Sequence, residues 1–251
     1  MLANVKDVAV KDISVKNSPD WTLHFASVTN LHVNNVHVHN PQGAPNSDGI
    51  DLDCVQNAVI ENSFFDVGDD ALCVKSGIDY FGRKYGRPSK NIIFRNISVG
   101  NGHGISIGSE SSGGVYNITF EDIRMSGTNR GPRIKSERGR GGTVSDITYR
   151  NISAKNLEAM ISLTLNYASG LKPTNESATP RLKNILIENC QFIGGNNGGE
   201  FNGLNESHIQ NVTLRDVDFN GGKVSFSTCS YVDSGKCEGS TNACPPCFVK
   251  D

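Results

Sequence analysis

Apolar and polar residues alternate along this chain in short runs that recur from one end to the other. Asp7-Val-Ala-Val-Lys-Asp-Ile-Ser-Val15 is the first run, and Asn30-Leu-His-Val-Asn-Asn-Val-His-Val38 repeats it. Further copies start at Asn57, Asn91, Asn117, Asp146, Asn184 and Asn211. The eight starts are separated by 23, 27, 34, 26, 29, 38 and 27 residues. Alternation with a period of two is the mark of a strand with one buried face, and no helical period competes with it. The recurring Asn or Asp suits a bend, because its side chain bridges turns and its backbone tolerates the left-handed region. Strand-turn-strand units of this length stack by parallel pairing. The pattern therefore predicts an all-β chain: a right-handed, single-stranded parallel β-helix of about eight coils, one domain over residues 1–251. Leucine-rich repeats and propeller blades have similar periods, but their Leu-x-x-Leu-x-Leu and Gly-His…Trp-Asp signatures are missing.

Two repeats are long. One inserts Gly77 to Pro88, the other Ala168 to Thr179. Extra residues in a solenoid become loops on one side, so both are expected to wall a groove.

Stacking changes what the polar residues mean. Equivalent positions of successive coils lie about 4.8 Å apart, so residues distant in sequence form one column. Asp48, the pair Asp69 and Asp70, His103, and then Arg133 with Lys135 each follow the first strand of their coil. Taken alone, Gly68-Asp69-Asp70 reads as a turn with two solvated acids, and His103 between two glycines reads as a turn residue. In one column they become three carboxylates beside a histidine and two cations. Crowded carboxylates keep one member protonated, which suits acid–base cleavage of a glycosidic bond. A guanidinium fork and an ammonium beside them suit an anionic sugar.

Composition narrows the setting. The net charge of −2 implies no general attraction to nucleic acid, and no apolar run approaches a membrane span. Four of the seven cysteines, Cys229, Cys237, Cys244 and Cys247, crowd a C-terminal tail over 229–251. Disulfides are expected there; Cys244-Pro-Pro-Cys247 as half of a zinc knuckle is the competing reading. Asn-x-Ser/Thr sequons occur at Asn96, Asn117, Asn151, Asn175, Asn205 and Asn211. No secretion signal is visible at the N-terminus. His24, His32, His37 and His39 read as strand-surface residues. Asp51 and Asp53 read as structural, and Arg138 and Arg140 as a solvated loop, with a more distant sugar subsite as the alternative. Lys75 follows the strand face and is placed to pair with the acids.

At Asn46-Ser47-Asp48, Gly68-Asp69-Asp70, Gly102-His103-Gly104 and Arg133-Ile134-Lys135 the chain resembles glycoside hydrolase family 28, the polygalacturonases and related pectin hydrolases. The runs Gly104–Gly114 and Arg138–Gly142 look like the plant and bacterial branch that includes exo-acting members. The resemblance implies inverting hydrolysis of α-1,4-linked galacturonan in pectin or polygalacturonate, without a cofactor or metal. It implies Asp69 as general acid, protonated beside an ionised Asp70. Asp48 and Asp70 would activate water and His103 would tune the acid. Arg133, Lys135, Asn46 and Tyr167 would bind substrate. A secreted, glycosylated, disulfide-bonded monomer is implied, with neither nucleic acid nor membrane as partner. Family members carry further coils and a signal peptide ahead of this point, so an N-terminally shortened chain is expected. A calcium-dependent pectate lyase, a non-catalytic glycan-binding solenoid, and a rhamnogalacturonan or xylogalacturonan hydrolase are the competing functions.

Overall fold

Each of the eight repeats carries two residues in the left-handed backbone region, five positions apart. Asn30 and Asn35, Asn57 and Asn62, Asn91 and Asn96, and Asn184 and Asn189 are such pairs, with φ between 50° and 60°. Asn and Asp enter this region at least cost among residues with a side chain. Their amides also stack. Asn57 Nδ2 donates to Asn30 Oδ1 at 3.2 Å, Asn91 to Asn57 at 3.1 Å and Asn117 to Asn91 at 2.9 Å. The bends fold each coil, and the ladders pin one coil above the next.

In this computed structural model, which describes residues 1–170, 177–220 and 224–250, the coils form two all-parallel sheets. Ten strands make the long-strand sheet; its members include Thr29–His39, Gln56–Asp66 and Ser89–Val99. Nine make the short-strand sheet, in the order Leu2–Ala3, Leu23–Ala26, Ile50–Asp53, Leu72–Lys75, Ile105–Gly108, Pro132–Lys135, Ile161–Thr164, Asn197–Asn202 and Ser225–Ser230. Each strand pairs with its equivalent one coil away, as in Ile50 with Leu72 and Leu72 with Ile105. This is the parallel β-helix that the repeats predict. All eight repeats lie on long strands, from Lys6–Lys16 to Ile209–Asn220. Inside run ladders of like residues. Phe94, Phe120 and Tyr149 stack with centroids 4.8 Å apart at each step.

The cysteine-rich segment continues the solenoid. Val232–Glu238 pairs with Ile209–Asn220, and Val249–Lys250 pairs with Val232–Glu238. Disulfides Cys229–Cys247 and Cys237–Cys244 fasten it, so the tail cysteines are bonded to each other. Cys54, Cys73 and Cys190 are free and buried.

The insertion after Lys75 forms the helix Asp79–Tyr85. Arg83 Nη1 donates to the carbonyls of Gly139 (2.5 Å) and Arg140 (3.1 Å). From the other insertion, whose residues 171–176 and sequon Asn175 lie outside the described residues, the Ala178 carbonyl accepts from the amides of Gly139 and Gly141. Arg140 corrects the expectation of a solvated loop. It is fully buried and pairs with Asp79 at 2.6 Å and Glu137 at 3.0 Å. Arg138 is exposed and pairs with Glu206. The two insertions and the 137–142 loop are thus tied together beside the short-strand sheet. Leu72–Lys75, Ile105–Gly108 and Pro132–Lys135 are buried on both faces.

Candidate active site

Residues on the outer face of the short-strand sheet pack against one another and against Asp70, and do not stand out in solvent. They line a cleft of about 340 Å³ instead. Trp21, Asn46, Asp48, Asp69, Asp70, Lys75, His103, Glu110, Lys135 and Tyr167 all face it. Register explains the gathering. Asp48 and Asp69–Asp70 enter strands paired as Ile50–Asp53 on Leu72–Lys75, His103 enters Ile105–Gly108, and Arg133 and Lys135 lie on Pro132–Lys135. The expected column is therefore present. Asn46 sits at its edge in a left-handed turn (φ 52°).

Asp70 is the hub. Its Oδ1 accepts from Ser106 Oγ at 2.7 Å and Arg133 Nη1 at 3.2 Å; its Oδ2 accepts from Lys135 Nζ at 2.7 Å. Burial opposes its charge, but Lys135, Arg133 and Lys75 outweigh it and hold the carboxyl well below the usual range. Two cations grip this one carboxylate, which leaves an excess positive charge for an incoming anion. Tyr167 covers them, its ring 5.7 Å from Arg133 Cζ and 5.3 Å from Lys135 Nζ.

Asp69 faces His103, with Oδ1 2.9 Å from Nδ1. Burial raises Asp69, but the hydrogen bond and charge of His103 win, and the net direction is down. The same contact raises His103 above its ordinary value, against the opposing effect of burial. The flanking glycines have a backbone reason: Gly104 has φ +110°, and a Cβ there would lie 2.4 Å from the Arg130 carbonyl. In this geometry the proton expected on Asp69 rests with the Asp69–His103 couple. The carboxyl held protonated is Asp48, pushed up to about 9 by burial and then by the neighbouring Asp51 and Asp70 charges.

Asp51 departs from the sequence reading. It is fully buried behind the cleft beside Asp48, and burial pushes it up to about 7 against the opposing pull of Lys75. Lys75 Nζ stands 3.6 Å from Asp51 and 3.1 Å from Glu110 Oε2, as its strand position led one to expect. Glu110, Trp21 and Ser106 were not legible as site residues. The signal for Asp51 and Ser106 was their outward place on the short strands that carry Lys75, Arg133 and Lys135. Trp21 and Glu110 lie in loops, where no period operates. His24 also corrects the sequence reading: its Nε2 is buried and its ring meets Trp21 edge-on at 4.9 Å. His32 and His39 lie on the long-strand sheet, paired with Glu61 and Asp66.

The class that fold and site define is a parallel β-helix that gathers carboxylates, a histidine and two cations in one cleft. The chain belongs to Glycosyl hydrolases family 28, whose family model matches residues 1–243. It is 35% identical over 165 residues to a probable polygalacturonase of Vitis vinifera, covering 65% of this chain and 34% of that one. It is 27% identical over 249 residues to polygalacturonase-2 of Solanum lycopersicum, covering 96% of this chain and 52% of that one. The structure superposes on an exopolygalacturonase from Thermotoga maritima with a TM-score of 0.82 and 27% identity, over 94% of this chain and 53% of that one. The chain thus spans between about a third and a half of these relatives. No helix among the described residues is long and apolar enough to cross a membrane.

Proposed function

We propose that this chain hydrolyses α-1,4-linked galacturonan, the backbone of pectin and polygalacturonate, by an inverting acid–base mechanism. The observation that carries the reading is the excess cation at Arg133 and Lys135 directly beside Asp70. A neutral sugar would leave that charge unanswered in a buried cleft; a uronate carboxylate answers it.

Asp69 gives the proton it shares with His103 to the glycosidic oxygen, and the bond from that oxygen to the sugar C1 breaks. A water held by Asp48 and Asp70 attacks C1 from the opposite face. Its proton passes to the ionised Asp70, while the protonated Asp48 orients it by hydrogen bonding. Acid and base are then exchanged, and the configuration at C1 is inverted. A depressed pKa makes Asp70 a weak base, which suffices where the sugar carbon is already oxocarbenium-like. Arg133 and Lys135 hold the uronate carboxylate under Tyr167, and Asn46 closes the edge of the cleft. Two disulfides fit an oxidising compartment, and the reading is of a secreted monomer.

Digestion of polygalacturonate by the 251-residue chain tests this. New reducing ends without unsaturated, ultraviolet-absorbing products are expected, with proton NMR of the first product showing inversion. Unsaturated products that vanish with a chelator would identify a lyase. Binding without any new ends would identify a non-catalytic solenoid.

A further inference from the structure

Two aromatic–cation pairs stand in the cleft, on opposite sides of the carboxylates. Tyr167 with Arg133 and Lys135 is one. Trp21 with Lys75 is the other, with Lys75 Nζ 4.2 Å from the indole centroid. Trp21 precedes Leu23–Ala26, one coil before the Asp48 coil, and the Thr22 amide donates to the Asp48 carbonyl at 2.9 Å. Tyr167 follows Ile161–Thr164, one coil beyond Arg133. Five inter-strand steps separate the strands these residues flank, but both side chains lean inward, the indole over Lys75 two steps on and the phenol ring over Lys135 one step back. The cleft between them, about 340 Å³, has room for more than one pyranose ring.

The charges at the two ends are not equivalent. At the Tyr167 end two cations share one carboxylate, Asp70. At the Trp21 end one cation, Lys75, is shared by two carboxyl groups, Glu110 at 3.1 Å and Asp51 at 3.6 Å. No spare positive charge remains there. Glu110, which Lys75 holds below its ordinary range against burial, keeps a negative charge on the wall. The indole supplies apolar surface, and its place is set by the His24 ring and the Lys75 ammonium. Such a wall binds the C–H face of a sugar ring and its hydroxyls. It does not attract a carboxylate.

We propose that Trp21, Lys75 and Glu110 form a second sugar subsite, across the cleaved bond from Arg133 and Lys135, which accepts a uronate whose carboxyl is methyl-esterified. This rests on the galacturonan reading. One side of the scissile bond then demands a free acid, while the other takes the ring by its face and hydroxyls.

Partially methyl-esterified galacturonan, digested by the unaltered chain and mapped by mass spectrometry, tests the asymmetry without any variant. Esterified units are expected at one of the two kinds of new chain end and absent from the other. Equal ester content at both kinds of end, or none at either, overturns the subsite. Trp21→Ala should raise KM about tenfold or more on polygalacturonate with a smaller change in kcat, since burying an aromatic ring is worth roughly 1.5–3 kcal/mol. Trp21→Phe should restore most of the loss. Wild-type KM in a folded Trp21→Ala overturns the role of the indole; if Trp21→Ala fails to fold, Trp21→Phe and the ester map decide. A wild-type chain that releases no ends from fully de-esterified polygalacturonate would instead defeat the parent reading.

Discussion

His103 Nδ1 lies 2.9 Å from Asp69 Oδ1, so one proton is held between two groups that shift each other in opposite directions. The couple carries that proton until pH rises through the raised His103 value. The alkaline limb of kcat/KM should therefore lie above an ordinary histidine. In His103→Gln the proton holder is a lone carboxyl, and the alkaline limb should move to lower pH. The pH–rate profiles of the two proteins check this; coincident limbs would remove the couple from the mechanism. The contact also contributes stability: the raised His103 side is lost as pH rises through its folded value, and the lowered Asp69 side is lost as pH falls through its own.

Asp69→Asn removes the proton donor while keeping its shape. Turnover should fall by about 10²–10⁴-fold, the usual contribution of general acid catalysis, with the melting temperature little changed. A folded variant retaining more than about a tenth of wild-type turnover would reassign the acid.

Asp48→Asn should separate stability from function. The Asp48 carboxyl is raised to about 9, so folding binds its proton more tightly than the unfolded chain does. That contribution is complete below about pH 4, the ordinary aspartate range, and is lost as pH rises towards 9. Removing the acid should leave stability at low pH nearly unchanged and raise Tm at pH 8. Roughly 2–8 °C is expected, the shift that about 1–2 kcal/mol produces in a chain of this size. Activity should drop with the loss of the water-holding acid. Melting curves at pH 4 and pH 8 check the sign; a lower Tm at pH 8 contradicts it.

Lys135→Ala takes away one of the two cations on Asp70. KM for polygalacturonate should rise more than kcat falls, and the acidic limb should move to higher pH as Asp70 becomes easier to protonate. Steady-state kinetics across pH decide; an unchanged KM would count against the carboxylate grip.

Arg140→Ala should leave Asp79 and Glu137 facing each other without their buried partner. Breaking a buried pair costs about 3–5 kcal/mol, whereas the exposed Arg138–Glu206 pair contributes about 0–1 kcal/mol. Thermal melting of Arg140→Ala beside Arg138→Ala should show a large drop only in the first.

The solenoid was legible because each strand repeats the same instruction. Asn57, Asn91 and Asn117 announce a bend, and the alternating residues after them announce the buried face. The column Asp48, Asp69, Asp70, His103, Arg133, Lys135 followed from stacking alone. Asp51 was missed because alternation implies an exposed outer face, and here Asp48, Cys73 and Lys75 crowd around it. Arg140 was missed for the same reason: nothing local says that Asp79, some sixty residues earlier, arrives beside it. Trp21 and Glu110 lie in loops, where alternation says nothing. The sequons share their source with the bends. Asn96, Asn117 and Asn151 donate their amides to Asn62, Asn91 and Asp122, so the repeat itself accounts for the motif there.

Because the groups of the cleft come from successive coils, the backbone acts as a ruler for the chemistry. The spacing from Asp48 to Asp70 to Arg133 is graduated in whole strand separations, which no side-chain substitution can subdivide. A substrate unit of another length could not be met by gradual adjustment. It would require a coil to be gained or lost between the acids and the cations.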